Sequence, residues 1–130
     1  MVGVAGKTIA VLGLSFKPNT DDVREAPSLA ICEGLVARGA RLRVWDPAGM
    51  KEAKWRLDAI QSHVCFSSDE YDALRGADAV VIVTEWNQFR NLDLEKARTL
   101  MKGTFFFDLR NIYRRHDVEA SGFLYFGVGQ

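Results

Sequence analysis

Gly13-Leu14-Ser15-Phe16-Lys17-Pro18-Asn19-Thr20-Asp21-Asp22-Val23-Arg24-Glu25-Ala26-Pro27-Ser28 is the stretch whose reading decides the fold. The apolar run 9–12 ahead of it suits a strand buried on both faces. Behind it, Leu29, Cys32, Leu35 and Val36 fall on one face at helical spacing. A strand-to-helix loop in a compact α/β domain takes about two to six residues, and this one is more than twice as long. It carries two cations, three acids, two prolines and a phenylalanine. Loops at the carboxyl ends of parallel strands are where such folds hold ligands.

The loop is not a dinucleotide fingerprint. After Gly13, the pattern G-x-G-x-x-G requires glycine where Ser15 and Pro18 stand. A pyrophosphate therefore cannot settle against bare backbone at a helix N-terminus. Any anion must be met by side chains, and Lys17 and Arg24 are the two cations available. Lysine offers a mobile point charge and arginine a rigid fork.

Outward from the loop, strands and helices alternate. Pro27 suits the first turn of a helix, Arg38 its last turn, and Gly39 its C-terminal cap. Residues 41–45 read as the second strand, closed by Asp46-Pro47. In a dinucleotide fold an acid here would hold a ribose; without the glycines, Asp46 is read as the start of a turn that Pro47 enforces. A charged, weaker helix is expected over 50–60 and a short strand over 63–66. A helix is expected over 68–74, capped by Ser68. Residues 79–83 form the most apolar strand, expected at the centre. A helix over 91–101 ends at Gly103. The strand 104–108 holds Phe105, Phe106 and Phe107, expected in the core. Residues 111–122 read as loop, and 123–126 as a closing edge strand. This alternation predicts an α/β, doubly wound, mostly parallel, Rossmann-like sheet of about six strands. The whole length, 1–130, reads as one domain with a frayed lead-in over 1–6.

Composition narrows the function. Lys plus Arg and Asp plus Glu both number 17, which argues against a nucleic-acid or anionic-membrane binder. No apolar run approaches the ~18 residues of a membrane span, and residues 1–7 lack the pattern of a signal peptide. His63 and His116 have no ligand partners at metal-site spacing. Cys32 and Cys65 sit among apolar neighbours and are expected to be buried, reduced thiols, which implies the cytoplasm.

In a parallel sheet the segments after each strand converge on one rim. Phe16, Lys17, Arg24, Glu85, Trp86, Asp108 and Arg110 should meet there. Three cations and two aromatics suit an anionic ligand with a flat ring. The same residues also admit a structural reading, with Arg24 pairing Asp22 or Glu25 and Asp108 orienting Arg110.

Residues 16–27, together with Val83-Thr84-Glu85-Trp86-Asn87-Gln88-Phe89 and Phe107-Asp108-Leu109-Arg110-Asn111, closely resemble the signature of the C-terminal nucleotide-sugar-binding domain of the UDP-glucose/GDP-mannose dehydrogenase family. The three motifs occur in the family's order, and details of the first two resemble the UDP-glucose branch. The resemblance implies a domain that binds UDP-glucose or a related nucleotide sugar. In the family the sugar's C6 hydroxymethyl group is oxidised to a carboxylate by two NAD⁺. Phe16, Lys17 and Arg110 would contact the substrate and Arg24 the NAD cofactor, while Glu85, Trp86 and Asp108 shape the site. The family's catalytic cysteine lies in a Cys-Phe-Pro-Lys segment ahead of this domain. Ser67-Ser68 follows Cys65-Phe66 here, so the nucleophile is not carried over. The N-terminal NAD-binding and central helical domains would be partners, in a homo-oligomeric enzyme, and this chain alone is expected to be inactive. A free-standing flavodoxin-like signalling module or an assembly domain is the alternative. A phospho-receiver would need an acid pair directly after the first strand, where Gly13-Leu14-Ser15 stands.

Overall fold

The computed structural model describes residues 3–15, 19, 22–23 and 26–128. Among these, six strands form one sheet: β1 (Thr8–Leu12), β2 (Arg41–Trp45), β3 (Val64–Phe66), β4 (Ala79–Ile82), β5 (Phe105–Asp108) and β6 (Leu124–Gly127). Their order is β3-β2-β1-β4-β5-β6, and every neighbouring pair is parallel. The chain winds outward from β1 through β2 and β3, then crosses back to β4 and winds the other way. The two windings part between β1 and β4, and such a switch point opens a crevice at the carboxyl rim.

The helices are α1 (Pro27–Ala37), α2 (Met50–Arg56), α3 (Glu70–Leu74), α4 (Asn87–Arg90), α5 (Leu94–Leu100) and α6 (Arg115–Ala120), with a 3-10 turn over Asp58–His63. Right-handed crossovers send the two windings' helices to opposite faces. Alternation along the strands then splits the core in two. Ile9, Val11, Leu42, Val44 and Val81 pack under α1 and α2 with Cys32, Ala53 and Leu57. Ala10, Leu12, Val80, Ile82 and Phe106 pack against Leu74, Phe89, Ala97 and Val118 on the other side. β4 is buried along its whole length beside β1, as its continuous apolar run predicts. The edge position of β6, Pro27 opening α1 and Gly39 just past the C-cap of α1 at φ +93° also match the sequence.

Several expectations are corrected. Within the lead-in, Val4 packs on the α1 side, and Gly6 N–H donates to the Gly39 carbonyl at 2.9 Å. The helix expected over 50–60 stops at Arg56, because Leu57 turns into the core and Ile60 leaves helical geometry. Asp69, not Ser68, caps α3: its extended backbone lets the carboxylate accept the Asp72 N–H at 2.7 Å. The helix expected over 91–101 is present as α5 but starts later, at Leu94, since Asp93 caps it by accepting the Lys96 N–H at 3.0 Å, and a separate short helix, α4, precedes it over Asn87–Arg90. Residues 111–122 contain α6, whose single buried residue, Val118, is too little for a periodic signal. Cys65 is exposed, because β3 is a three-residue edge strand. Cys32 is buried as expected.

The phenylalanine triplet divides. Phe106 is fully buried, but Phe105 and Phe107 point to the face that α1 and α2 cover only over β1–β3. There they stack with Phe126, at centroid separations of 6.3 and 5.0 Å. Phe126 is 46% exposed and its neighbour Leu124 51%. Between this ladder and α1 lies an apolar cleft of about 220 Å³, lined by Val4, Ile31, Leu35, Val81, Phe107 and Leu109 among others. No helix among the described residues is long and apolar enough to cross a membrane.

Candidate functional site

The carboxyl ends of β1, β2, β4 and β5 form one rim, and buried polar contacts fix it. The chain leaves β1 through Gly13, at φ +100°, whose N–H donates to the Trp45 carbonyl at 2.9 Å. A Cβ at Gly13 would lie 2.6 Å from Thr84, so only glycine lets the ends of β1 and β4 approach this closely. Thr84 Oγ1 answers by donating to the Ser15 carbonyl at 2.8 Å. Ser28, in the first turn of α1, donates its hydroxyl to the Leu14 carbonyl at 2.7 Å, closing the loop's two feet together.

Asp46 is the centre of this frame. It is 1% exposed. Oδ1 accepts the N–H groups of Leu14 at 2.8 Å and Ser15 at 3.0 Å, and the Trp86 indole N–H at 3.2 Å. Oδ2 accepts the Ser15 hydroxyl at 2.7 Å and the N–H groups of Ala48 at 3.0 Å and Gly49 at 2.7 Å. The turn expected at Asp46 is present, but four of the six donors come from β1's loop and from Trp86. Sequence reasoning missed this. The available signal was an acid ending the strand beside β1, opposite a loop whose first N–H groups need an acceptor.

Asp108, fully buried, serves the β5 end in the same way. Oδ1 accepts the Arg110 N–H at 3.2 Å, while Oδ2 accepts the Tyr113 N–H at 2.9 Å and the Tyr125 hydroxyl at 2.8 Å. Tyr113 donates its own hydroxyl to the Phe89 carbonyl. Burial, helped by the Asp108 charge, pushes the Tyr113 phenol far above its ordinary pKa, so it stays a donor. Asp108 thus shapes the Arg110 backbone and does not hold its guanidinium. Arg110 Nη2 instead meets Glu85 Oε1 at 2.8 Å, with side-chain exposures of 38% and 28%.

Of the residues singled out in the sequence, Glu85, Trp86, Asp108 and Arg110 therefore share one rim. Phe16, Lys17 and Arg24 lie outside the described residues, on the loop whose feet this rim anchors. The suggested partner Asp22 is half-buried. Cys65 is at the other side of the molecule's construction, on edge strand β3, and Cys32 is inside α1's buried face, where burial and Glu33 push its pKa up to about 12.

A doubly wound parallel sheet with its polar groups gathered at the switch-point rim defines a small-ligand-binding α/β domain. Residues 10–115 match the model of the UDP-glucose/GDP-mannose dehydrogenase family, UDP binding domain, and the chain belongs to that family. It is 44% identical over 127 residues to the UDP-glucose 6-dehydrogenase of Rhizobium meliloti, covering 98% of this chain and 28% of that protein. It is 42% identical over 128 residues to the UDP-glucose 6-dehydrogenase of Pseudomonas aeruginosa, covering 96% and 28%. Among solved structures it resembles a UDP-glucose dehydrogenase from the archaeon Pyrobaculum islandicum, with a TM-score of 0.76, 34% identity, and coverage of 97% of this chain and 26% of that one. The chain thus spans under a third of the length of these relatives.

Proposed function

We propose that this chain is the UDP-sugar-binding part of an NAD-dependent UDP-glucose 6-dehydrogenase. One observation carries the reading. Residues of two motif segments far apart in sequence, Thr84 to Trp86 and Asp108 to Arg110, meet at one rim with Ser15, the residue ahead of the third, through the Thr84–Ser15, Trp86–Asp46 and Arg110–Glu85 hydrogen bonds. Phe16, Lys17 and Arg110 contact the nucleotide sugar, Lys17 near its pyrophosphate, with Arg110 exchanging Glu85 for the ligand. Arg24 reaches the NAD, which other domains hold. Glu85, Trp86 and Asp108 shape the site. Neither cysteine is placed to act on the sugar: Cys32 is buried, and Cys65 stands beside Arg43 on edge strand β3.

The half-covered apolar ladder of Phe105, Phe107 and Phe126 supports a domain that packs against further parts of a larger, oligomeric enzyme. The unbridged Cys32 and Cys65 support a cytoplasmic setting.

Calorimetry with UDP-glucose tests the reading. Weak binding is expected, and Lys17→Ala and Arg110→Ala should each weaken it by about 1–3 kcal/mol, the scale of a hydrogen bond to a charged group. Arg24→Ala should leave that affinity unchanged. NAD⁺ and UDP-glucose together should yield no NADH with this chain alone, since hydride transfer needs the nicotinamide held against the sugar. Unaltered binding in both the Lys17 and the Arg110 variants would move the site elsewhere. NADH formation would overturn the reading of an incomplete enzyme.

A further inference from the structure

We propose that a second anion site, for a small phosphate-bearing metabolite, lies at the amino edge of the sheet, opposite the rim. A cavity of about 320 Å³ opens there between the starts of β1, β2 and β3 and the end of α3. Arg41, Arg43 and Arg75 line it, joined by His63, Ser62 and Cys65. The strands are at most five residues long, so at ~3.3 Å per residue the cavity stands roughly 16 Å from the rim. It is independent of the nucleotide-sugar reading.

The chain assembles these cations from separate elements. Arg41 and Arg43 are two apart on β2 and so share a face. Arg75 follows α3, which packs over β1 and β2, and His63 ends the 3-10 turn. One arginine is already committed: Arg43 donates through Nη2 to the Asp72 carbonyl at 2.7 Å and to the Asp72 carboxylate at 3.3 Å. Its Nη1 faces Cys65 Sγ at 3.6 Å, toward the cavity. Asp78, the acid nearest Thr8, is engaged by the Thr8 N–H at 2.9 Å. Among the described residues neither Arg41 nor Arg75 is held in a salt bridge. Two guanidinium groups thus border a polar cavity, braced by a third that Asp72 fixes in place. Forked guanidinium donors match the oxygens of a phosphate two at a time, and several converging on one concavity suit a multiply charged anion. The volume exceeds what a single phosphate fills and suits a diphosphate or a phosphorylated sugar.

Inorganic pyrophosphate is the probe, and Cys65 is a built-in reporter, because it lines the cavity while Cys32 is buried. Saturating pyrophosphate should slow alkylation of Cys65 by iodoacetamide at least fivefold. In ¹H–¹⁵N spectra it should shift the amides of Arg41, Val64 and Gly76 saturably. Arg41→Gln with Arg75→Gln should weaken both effects at least tenfold, whereas Arg110→Ala should leave both intact. Unchanged Cys65 alkylation in the parent protein would overturn the site, whether or not the double variant folds. So would amide shifts confined to the rim, or shifts of equal size in the double variant.

Discussion

Asp46 takes a carboxylate into the interior and satisfies it with six N–H and O–H donors. Removing the acceptor leaves several buried donors unmatched, at about 1–3 kcal/mol each. Asp46→Ala should therefore cost at least ~3 kcal/mol, read as a lower urea midpoint. Asp46→Asn should also destabilise, because one of its two faces would present N–H groups to donors. A loss below ~1 kcal/mol in both would mean the frame closes without Asp46. Cys32 makes a pH-dependent prediction. Its thiol stays protonated in the native state up to about 12, but ionises near ~8.5 when unfolded. Over that interval the native state binds the extra proton, so stability falls as pH rises. The slope is up to ~1.4 kcal/mol per pH unit. Cys32→Ala should remove that increment from the pH–stability curve. Parallel curves above pH 9 for parent and variant would show that the native thiol ionises as freely as the unfolded one.

At the scale of elements, the approach of β1 to β4 rests on Gly13. An alanine there meets both a left-handed backbone and Thr84 at 2.6 Å, and the backbone alone costs ~1–2 kcal/mol. Gly13→Ala should lower stability by ~2 kcal/mol or more and should shift the amides of Ser15 and Thr84 in ¹H–¹⁵N spectra. Unmoved amides would place the tolerance in the loop. Elements with a strong period or a strong stop were legible in advance. α1 had Pro27, an apolar stripe and Gly39, and β4 had an unbroken apolar run. What escaped depends on partners distant in sequence. Asp46 needed the knowledge that β2 lies beside β1. Cys65 sits in an apolar run, but β3 has no helix over that face of the sheet, so apolar neighbours in sequence did not bury it. Phe105 and Phe107 alternate with Phe106, and period 2 sends them to the sparsely covered face. The sharing of one rim by Glu85, Trp86, Asp108 and Arg110 was legible because parallel strands all end on one side, whereas the Glu85–Arg110 pair needed coordinates.

At the scale of the molecule, the open half of one sheet face concentrates Leu124, Phe126, Phe105 and Phe107. Exposed apolar area of this kind drives association. Leu124→Lys with Phe126→Asp should shift sedimentation toward a single monomeric species at high concentration, with unfolding free energy altered by less than about 1 kcal/mol. A large loss of stability would instead make the ladder part of the fold's own core. The strand order also dictates a timetable. β1 can pair with β2 once residue 45 has formed, but its other flank waits for β4, with Ile9 opposite Ala79 and Leu12 opposite Ile82. Loops of that length are slow to close. During synthesis, the first half of the sheet therefore stands with a bare edge along β1 until the middle of the chain has been made. Thr8 and Asp78 then seal that edge reciprocally, the Thr8 N–H to the carboxylate and the Asp78 N–H to the Thr8 carbonyl at 2.7 Å. Pulse-labelled hydrogen exchange during refolding should find the amides of Leu42 and Tyr125 protected before that of Asp78, which marks the moment at which the two halves join; protection of Asp78 ahead of both would put the β1–β4 pairing first.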